Sequence, residues 1–277
     1  MTGSSLVNFD GCDLGANELL VSIVMPAYNA SKTVANSVMS VQEQSYKNWE
    51  LLIVDDCSTD DTVFIVRGFS KNDARIKLIS LTENSGGPAY PRNVAIKQAT
   101  GEFIAFLDAD DEWLPEKLEK QIAFMRRFNL AISCTGYYVV SFAGANVGSF
   151  SPPQMCSYRD LLAANSVGCL TAMYDVRILG KRYFPICGHE DYALWLKILR
   201  NGYTVYGLQE SLSRYRLTLG SVSSSKLKVM KYFWNIYKNQ EGFSTFLTIF
   251  YCVRYVWGAR NKYSRQLALQ QVTASGE

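Results

Sequence analysis

The segment Phe103-Ile-Ala-Phe-Leu-Asp-Ala-Asp-Asp111 decides how this chain is read. Phe103 to Leu107 are five consecutive apolar residues, the length and character of a strand buried on both faces. Three carboxylates, Asp108, Asp110 and Asp111, follow within four positions. Carboxylates crowded at the end of a buried strand repel one another and are costly to desolvate unless paired. A cation resolves that conflict. An Asp-x-Asp of oxygen donors suits hard ions such as Mg²⁺ or Mn²⁺. The same residues also fit a plainer role, an Asp-rich turn that caps the helix expected from Pro115 onward.

Upstream, the pattern repeats. Val21 to Met25 reads as a buried strand stopped by Pro26, with Tyr28-Asn29 as its loop. Lys32 to Gln44 has helical spacing, and Leu51 to Val54 is a second strand ending in Asp55-Asp56. Ser58 to Asp61 caps a helix through Phe69. Ile76 to Leu81 is a third strand, Asn84 to Pro88 a turn, and Tyr90 to Ala99 a helix. Strands that are continuously apolar and alternate with helices predict an α/β fold, a Rossmann-like and mostly parallel sheet flanked by helices. Ligands bind such sheets outside the carboxyl ends of the strands. The polar ends after strands one, two and four are therefore expected to meet in one crevice.

Downstream, a helix is expected to Phe128, a strand over Ala131 to Phe142, and a flexible loop over Gly144 to Cys156. A short helix over Tyr158 to Ala164 and a strand over Cys169 to Tyr174 follow. His189 to Arg200 is amphipathic, with Trp195 in its apolar spacing, which favours a core position over a sugar platform. Tyr203 to Tyr215 predicts one or two short strands, and Gly220 to Ser225 a small polar loop. The organisation is a lead-in over 1–20, a catalytic unit over 21–225 with halves 21–111 and 112–225, and a C-terminal helical extension over 226–277.

The 277 residues suffice for a large core, and a net charge of +3 conceals an uneven spread. Between Lys226 and Arg265 eight basic residues face one acid, Glu241, an excess of +7 that leaves −4 on the rest. Seven scattered cysteines form no C-x-x-C pair, and His189 is the single histidine, which argues against a zinc site and for reduced thiols in a cytoplasmic protein. Residues 1–20 lack the basic start and apolar run of a signal peptide, and no window predicts a spanning helix.

Six stretches together resemble a family 2 glycosyltransferase of the GT-A fold, of the kind that builds bacterial cell-surface polysaccharide such as O-antigen or capsule. They are Val21 to Asn29, Ile53 to Asp60, Asn84 with Gly86 and Pro91-Arg-Asn93, Phe106 to Asp111, His189 to Tyr192, and Tyr215-Arg216 with Ser221 and Ser223. The resemblance implies a nucleotide-sugar site at Pro26, Tyr28, Asn29, Asp56, Arg92, Asp108 and Arg216. Tyr28 would stack on a uracil, and Asp56 would accept from its N3–H, which favours a UDP-sugar. Arg92 would fork onto a phosphate, while Arg216 with the serines would form a lid over the diphosphate. Asp110, with Asp108, would hold Mn²⁺ or Mg²⁺. Asp191 would be the general base of an inverting transfer, with Glu190 orienting a substrate. The plainer readings are a helix cap for Asp56, a solvated charge for Arg92 and favourable helix-start charges for Glu190 and Asp191. Thr218 stands where many relatives have a histidine, and Pro91 where they have a small residue.

In the tail, lysines interleave with Tyr232, Phe233, Trp234 and Tyr237, and Phe243 to Val253 carries no charge. This fits either a helix lying on an anionic membrane surface or helices packed on the catalytic unit. The first alternative implies a lipid-linked saccharide acceptor, on a polyprenyl diphosphate, and a peripheral position at the inner face of the plasma membrane. No nucleic-acid reader module is present. A non-catalytic sugar-nucleotide or polysaccharide-binding module and a nucleotidyltransferase are the rival readings.

Overall fold

Strands that are apolar on both sides need cover on both sides. The computed structural model, which describes residues 19–217 and 226–255, shows that cover. The lead-in up to residue 18, Thr218, the Gly220 to Ser225 loop with Ser221 and Ser223, and residues 256–277 lie outside the described residues.

The first half alternates as expected: β1 (Val21–Ala27), α1 (Val34–Gln42), β2 (Trp49–Asp55), α2 (Thr62–Asn72), β3 (Ile76–Ser80), α3 (Ala89–Gln98) and β4 (Phe103–Phe106). β5 (Glu112–Trp113), α4 (Lys117–Phe128), β6 (Ile132–Val140), β7 (Asn146–Phe150), β8 (Met155–Cys156) and α5 (Tyr158–Ala163) follow. After a 3₁₀ turn at Cys169–Thr171 come β9 (Met173–Asp175), α6 (Val176–Leu179), α7 (Glu190–Leu199) and β10 (Val205–Arg216). The chain then runs through α8 (Lys226–Asn235), a π turn (Ile236–Gln240) and α9 over 245–255.

One sheet has the order β3-β2-β1-β4-β9-β6-β10-β5. Its first four strands are parallel, and antiparallel β9 joins them to β6. Val21, Ile23 and Met25 enter one core with Leu51, Ile53 and Phe103, whereas Val24, Leu52, Val54, Ile104 and Phe106 enter the other. Parallel register sets Ala27 opposite Asp55 and Val24 opposite Phe106, so three strand ends reach the same edge.

Three expectations need correcting. β1 does not stop at Pro26. The Val24 carbonyl accepts from Leu107, so strand alternation turns Pro26 to the β4 side, and β4 has ended at Phe106, where no partner needs its missing N–H. The expected loop over Gly144 to Cys156 contains β7 and β8, which pair with β6 and β10 after a turn at Gly144 (φ +87°). The strand expected over Cys169 to Tyr174 is a 3₁₀ turn followed by β9.

Glu50 anchors the amino ends of the parallel strands. Its carboxylate accepts from Ser22 on β1, from the N–H and hydroxyl of Thr100, and from Lys77 on β3. Burial opposes the charge, but the Lys77 ammonium and the Ser22 and Thr100 donors hold the pKa down at about 2. A carboxylate with a depressed folded pKa stabilises above its ordinary value and loses that contribution on acidification. Glu50→Gln is therefore expected to cost about 2 kcal/mol near neutral pH, allowing for the exposed Lys77. In urea unfolding, wild type and variant should converge as pH falls from about 4.5 toward about 2.

Candidate active site

The converging strand ends open into a cavity of about 680 Å³. Pro26, Tyr28, Asn29, Asp56, Arg92, Asp108 and Asp110 all line it. Tyr28 is 53% exposed at the cavity, not packed into a gap. Asn29 adopts a left-handed conformation (φ +47°), which asparagine tolerates, and its Oδ1 accepts from the Thr59 N–H at 2.8 Å. That bond joins the loop after β1 to the loop after β2. Asp56 is no helix cap. One carboxylate oxygen accepts from the Ser85 N–H and the other from the Ser85 hydroxyl, which leaves acceptor capacity on both. Asp60, not Asp61, accepts from the first N–H of α2.

Arg92 is buried, not a solvated helix charge. Its guanidinium donates to Asp108 at 2.6 Å and lies 5.1 Å from the Phe184 ring centre. Its Nε has no hydrogen-bond partner among the described residues. Burial works against the charge, but Asp108, supported by Asp191, holds the guanidinium above its ordinary value.

The carboxylate turn is asymmetric. Asp111 is buried, and burial followed by the charges of Asp110 and Asp108 pushes it well above the usual carboxylate range. It accepts the Arg216 backbone N–H at 2.9 Å. Asp108 and Asp110 instead border the cavity. Among the described residues no group of three acid, His or Cys side chains forms a cage. The chemistry of the pair still fits Mg²⁺ or Mn²⁺, which are held by one or two carboxylates together with substrate phosphates.

Arg216 does not line this cavity. Its side chain donates to Glu112, the Phe142 carbonyl and the Asp110 carbonyl, and it borders a separate pocket of about 290 Å³. Glu190 and Asp191 open α7 from His189, whose backbone is left-handed (φ +50°). Glu190 Oε1 would lie 3.9 Å from a β-carbon on Gly87, a cavity residue. Trp195 is fully buried against Phe106 and Phe184, so it is core and not a sugar platform.

Sequence reasoning missed Cys169, Phe184, Glu112 and Lys32. Burial pushes the Cys169 thiol well up, and Asp108, Asp191 and Glu190 add to that against Arg92. The thiol thus sits among the charges of both halves of the site. Lys32 lines the cavity, a position signalled by the Tyr28-Asn29 loop that it follows. The others arrive through long-range packing and leave no local signal.

The tail is part of this site's support. Phe233, Ile236 and Tyr237 are buried in the core that contains α7. His189 packs against Tyr232 and Phe233, with ring centres 5.7 and 5.2 Å apart. The Tyr192 and Tyr237 hydroxyls are hydrogen-bonded at 2.9 Å.

A parallel sheet whose strand ends gather Tyr28, Asp56, Asp108 and Asp110 around one cavity has the GT-A architecture. The chain belongs to glycosyl transferase family 2, whose model matches residues 22–167, and it is a glycosyltransferase. It is 43% identical over 224 residues to the Bacillus subtilis (strain 168) protein TuaG, a glycosyltransferase named for teichuronic acid biosynthesis, covering 80% of this chain and 88% of that one. It is also 43% identical over 221 residues to Escherichia coli WfgD, named UDP-Glc:alpha-D-GlcNAc-diphosphoundecaprenol beta-1,3-glucosyltransferase, covering 79% and 86%. The structure of S. aureus TarS 1–349 in complex with UDP-GlcNAc superposes with a TM-score of 0.65 at 26% identity, covering 79% of this chain and 65% of that one.

Gly188 precedes the α7 acids with φ +71°, and a β-carbon there would collide with the Tyr232 ring. Gly188→Ala is expected to lower stability by about 1–3 kcal/mol, read as a drop in thermal unfolding temperature.

Proposed function

We propose that the protein transfers a sugar from a UDP-sugar to a hydroxyl of a saccharide carried on a polyprenyl diphosphate, with inversion at the anomeric carbon, in synthesis of a bacterial surface polysaccharide. The observation that carries this reading is the meeting of Tyr28, Asp56, Arg92, Asp108 and Asp110 around one cavity, with Glu190 close to the cavity residue Gly87. The activity for which WfgD is named and the UDP-GlcNAc held by TarS support it.

Tyr28 presents a ring on which a uracil stacks, and the remaining acceptor capacity of Asp56 matches the uracil N3–H. Arg92, charged and incompletely hydrogen-bonded, faces the diphosphate. Asp108 and Asp110 are the residues that would hold Mg²⁺ or Mn²⁺. Such an ion supplies positive charge against the leaving diphosphate. Asp191 takes the proton from the acceptor hydroxyl as that oxygen bonds to the anomeric carbon. The bond from that carbon to the diphosphate oxygen breaks on the opposite face, and UDP departs with the electron pair. An α-linked donor then yields a β-glycoside. Glu190, at the rim beside Gly87, orients a sugar hydroxyl. A lipid-linked acceptor places the enzyme at the inner surface of the plasma membrane. No described helix is long and apolar enough to cross a membrane.

Calorimetric titration of UDP is expected to tighten with Mn²⁺, and Asp110→Ala should lose that gain. Asp191→Asn should keep UDP binding and lower kcat by about 10²–10⁴-fold. Near-normal turnover in Asp191→Asn would remove it as the base.

A further inference from the structure

Helix α9 is apolar on two opposite stripes. Thr248, Tyr251, Cys252 and Tyr255 face the body of the protein, where the Tyr251 ring centre lies 5.6 Å from that of Tyr237 and Tyr255 lies 3.6 Å from Phe233. Phe246, Ile249, Phe250 and Val253 recur at helical spacing on the other side and are 82, 49, 50 and 63% exposed. A helix that is apolar all round belongs in a core or in a lipid environment. Only the inner stripe of α9 is covered by described residues.

We propose that the outer stripe of α9 docks the enzyme on an anionic lipid surface. The inference rests on the lipid-linked acceptor proposed above and names the contact that brings the enzyme to it. Charge selects this occupant. No Asp or Glu occurs from Gly242 to Gly276, whereas Arg254, Arg260, Lys262 and Arg265 do. Arg254, Lys231 and Trp234 are exposed. The acid nearest in sequence, Glu241, is turned inward, bonded to the Tyr158 hydroxyl and 3.5 Å from Arg200, while Asp160 lies within electrostatic reach of Arg254. A predominantly basic rim is drawn to anionic headgroups and disfavours a second copy of itself. At 1.5 Å per residue α9 is about 16 Å long over 245–255, too short to span, so it lies in the interfacial plane with Phe246 and Phe250 below the headgroups.

Of the two alternatives expected for the tail, packing on the catalytic unit is what the inner stripe does, with the outer stripe proposed for lipid. The lysine-rich α8 is not the inserting element, because Phe233 is buried. Removing everything after residue 225 would strip the core, so point substitutions are the sound test.

Full-length protein is floated with vesicles of phosphatidylglycerol and phosphatidylcholine, without donor or acceptor, and with phosphatidylcholine alone. Wild type is expected to float with the anionic vesicles. Phe246→Asp with Phe250→Asp, and separately Ile249→Gln with Val253→Gln, should weaken vesicle binding by at least about tenfold, with unfolding temperature and UDP titration unchanged. Wild type that stays with the soluble fraction, or variants that float equally well, would overturn the proposal. So would a wild-type dimer that the substitutions convert to monomer without any vesicle binding. Loss of UDP binding in wild type that still floats would count against the proposed transfer reaction and not against the docking surface.

Discussion

A buried guanidinium cannot stand alone. Arg92 sits on α3, inside the protein, and the cost of removing its charge from water is offset chiefly by carboxylates from elsewhere, with the Phe184 ring alongside. Asp108 comes from the end of β4, and Asp191 acts from the first turn of α7. α3, β4 and α7 share one core, where Phe106 of β4 packs against Trp195 of α7. The charge of one buried side chain is thereby tied to acids that arrive from two separate elements.

The parallel half of the fold was readable because its signal is local. Strands buried on both faces are continuous apolar runs, and each expected element from Val21 to Phe128 appears within a few residues of its place. Beyond Phe128 the strands are short or bulged and pair with distant partners. β10 shifts register twice against β6, and β8 is two residues long. Nothing in a sequence such as Gly144 to Cys156 announces which strand will meet it. The tail was ambiguous for a different reason, since a helix apolar on both faces satisfies a core and a surface reading equally.

Tyr28, Asn29, Asp56, Asp108 and Asp110 were readable from topology, as the ends of parallel strands must share an edge, whereas Pro26 and Arg92 were legible only through the family resemblance. Arg216 was not. The family resemblance suggests a lid over the diphosphate for it, but its side chain is engaged by Glu112 and by the carbonyls of Asp110 and Phe142. Cys169 and Phe184 were invisible because neither residue type nor spacing marks them. They matter through where the fold carries them, Phe184 under the Arg92 guanidinium and Cys169 within the electrostatic reach of Arg92, Asp108 and Asp191.

The bond between the Arg216 N–H and Asp111 closes a loop of 105 residues, and the bond from Arg216 Nε to the Asp110 carbonyl closes one of 106. Closing so long a loop costs conformational entropy before any contact repays it, whereas the β-α-β units of the first half form over short separations. The two halves of the site are thereby ordered in time. The parallel sheet can assemble while the chain is still short, but the carboxylate turn, closed locally by the Asp111 N–H on the Asp108 carbonyl, gains its long-range ties only when the last strand docks. A nascent chain that has not yet delivered β10 would carry a formed sheet edge and an acid turn still untethered.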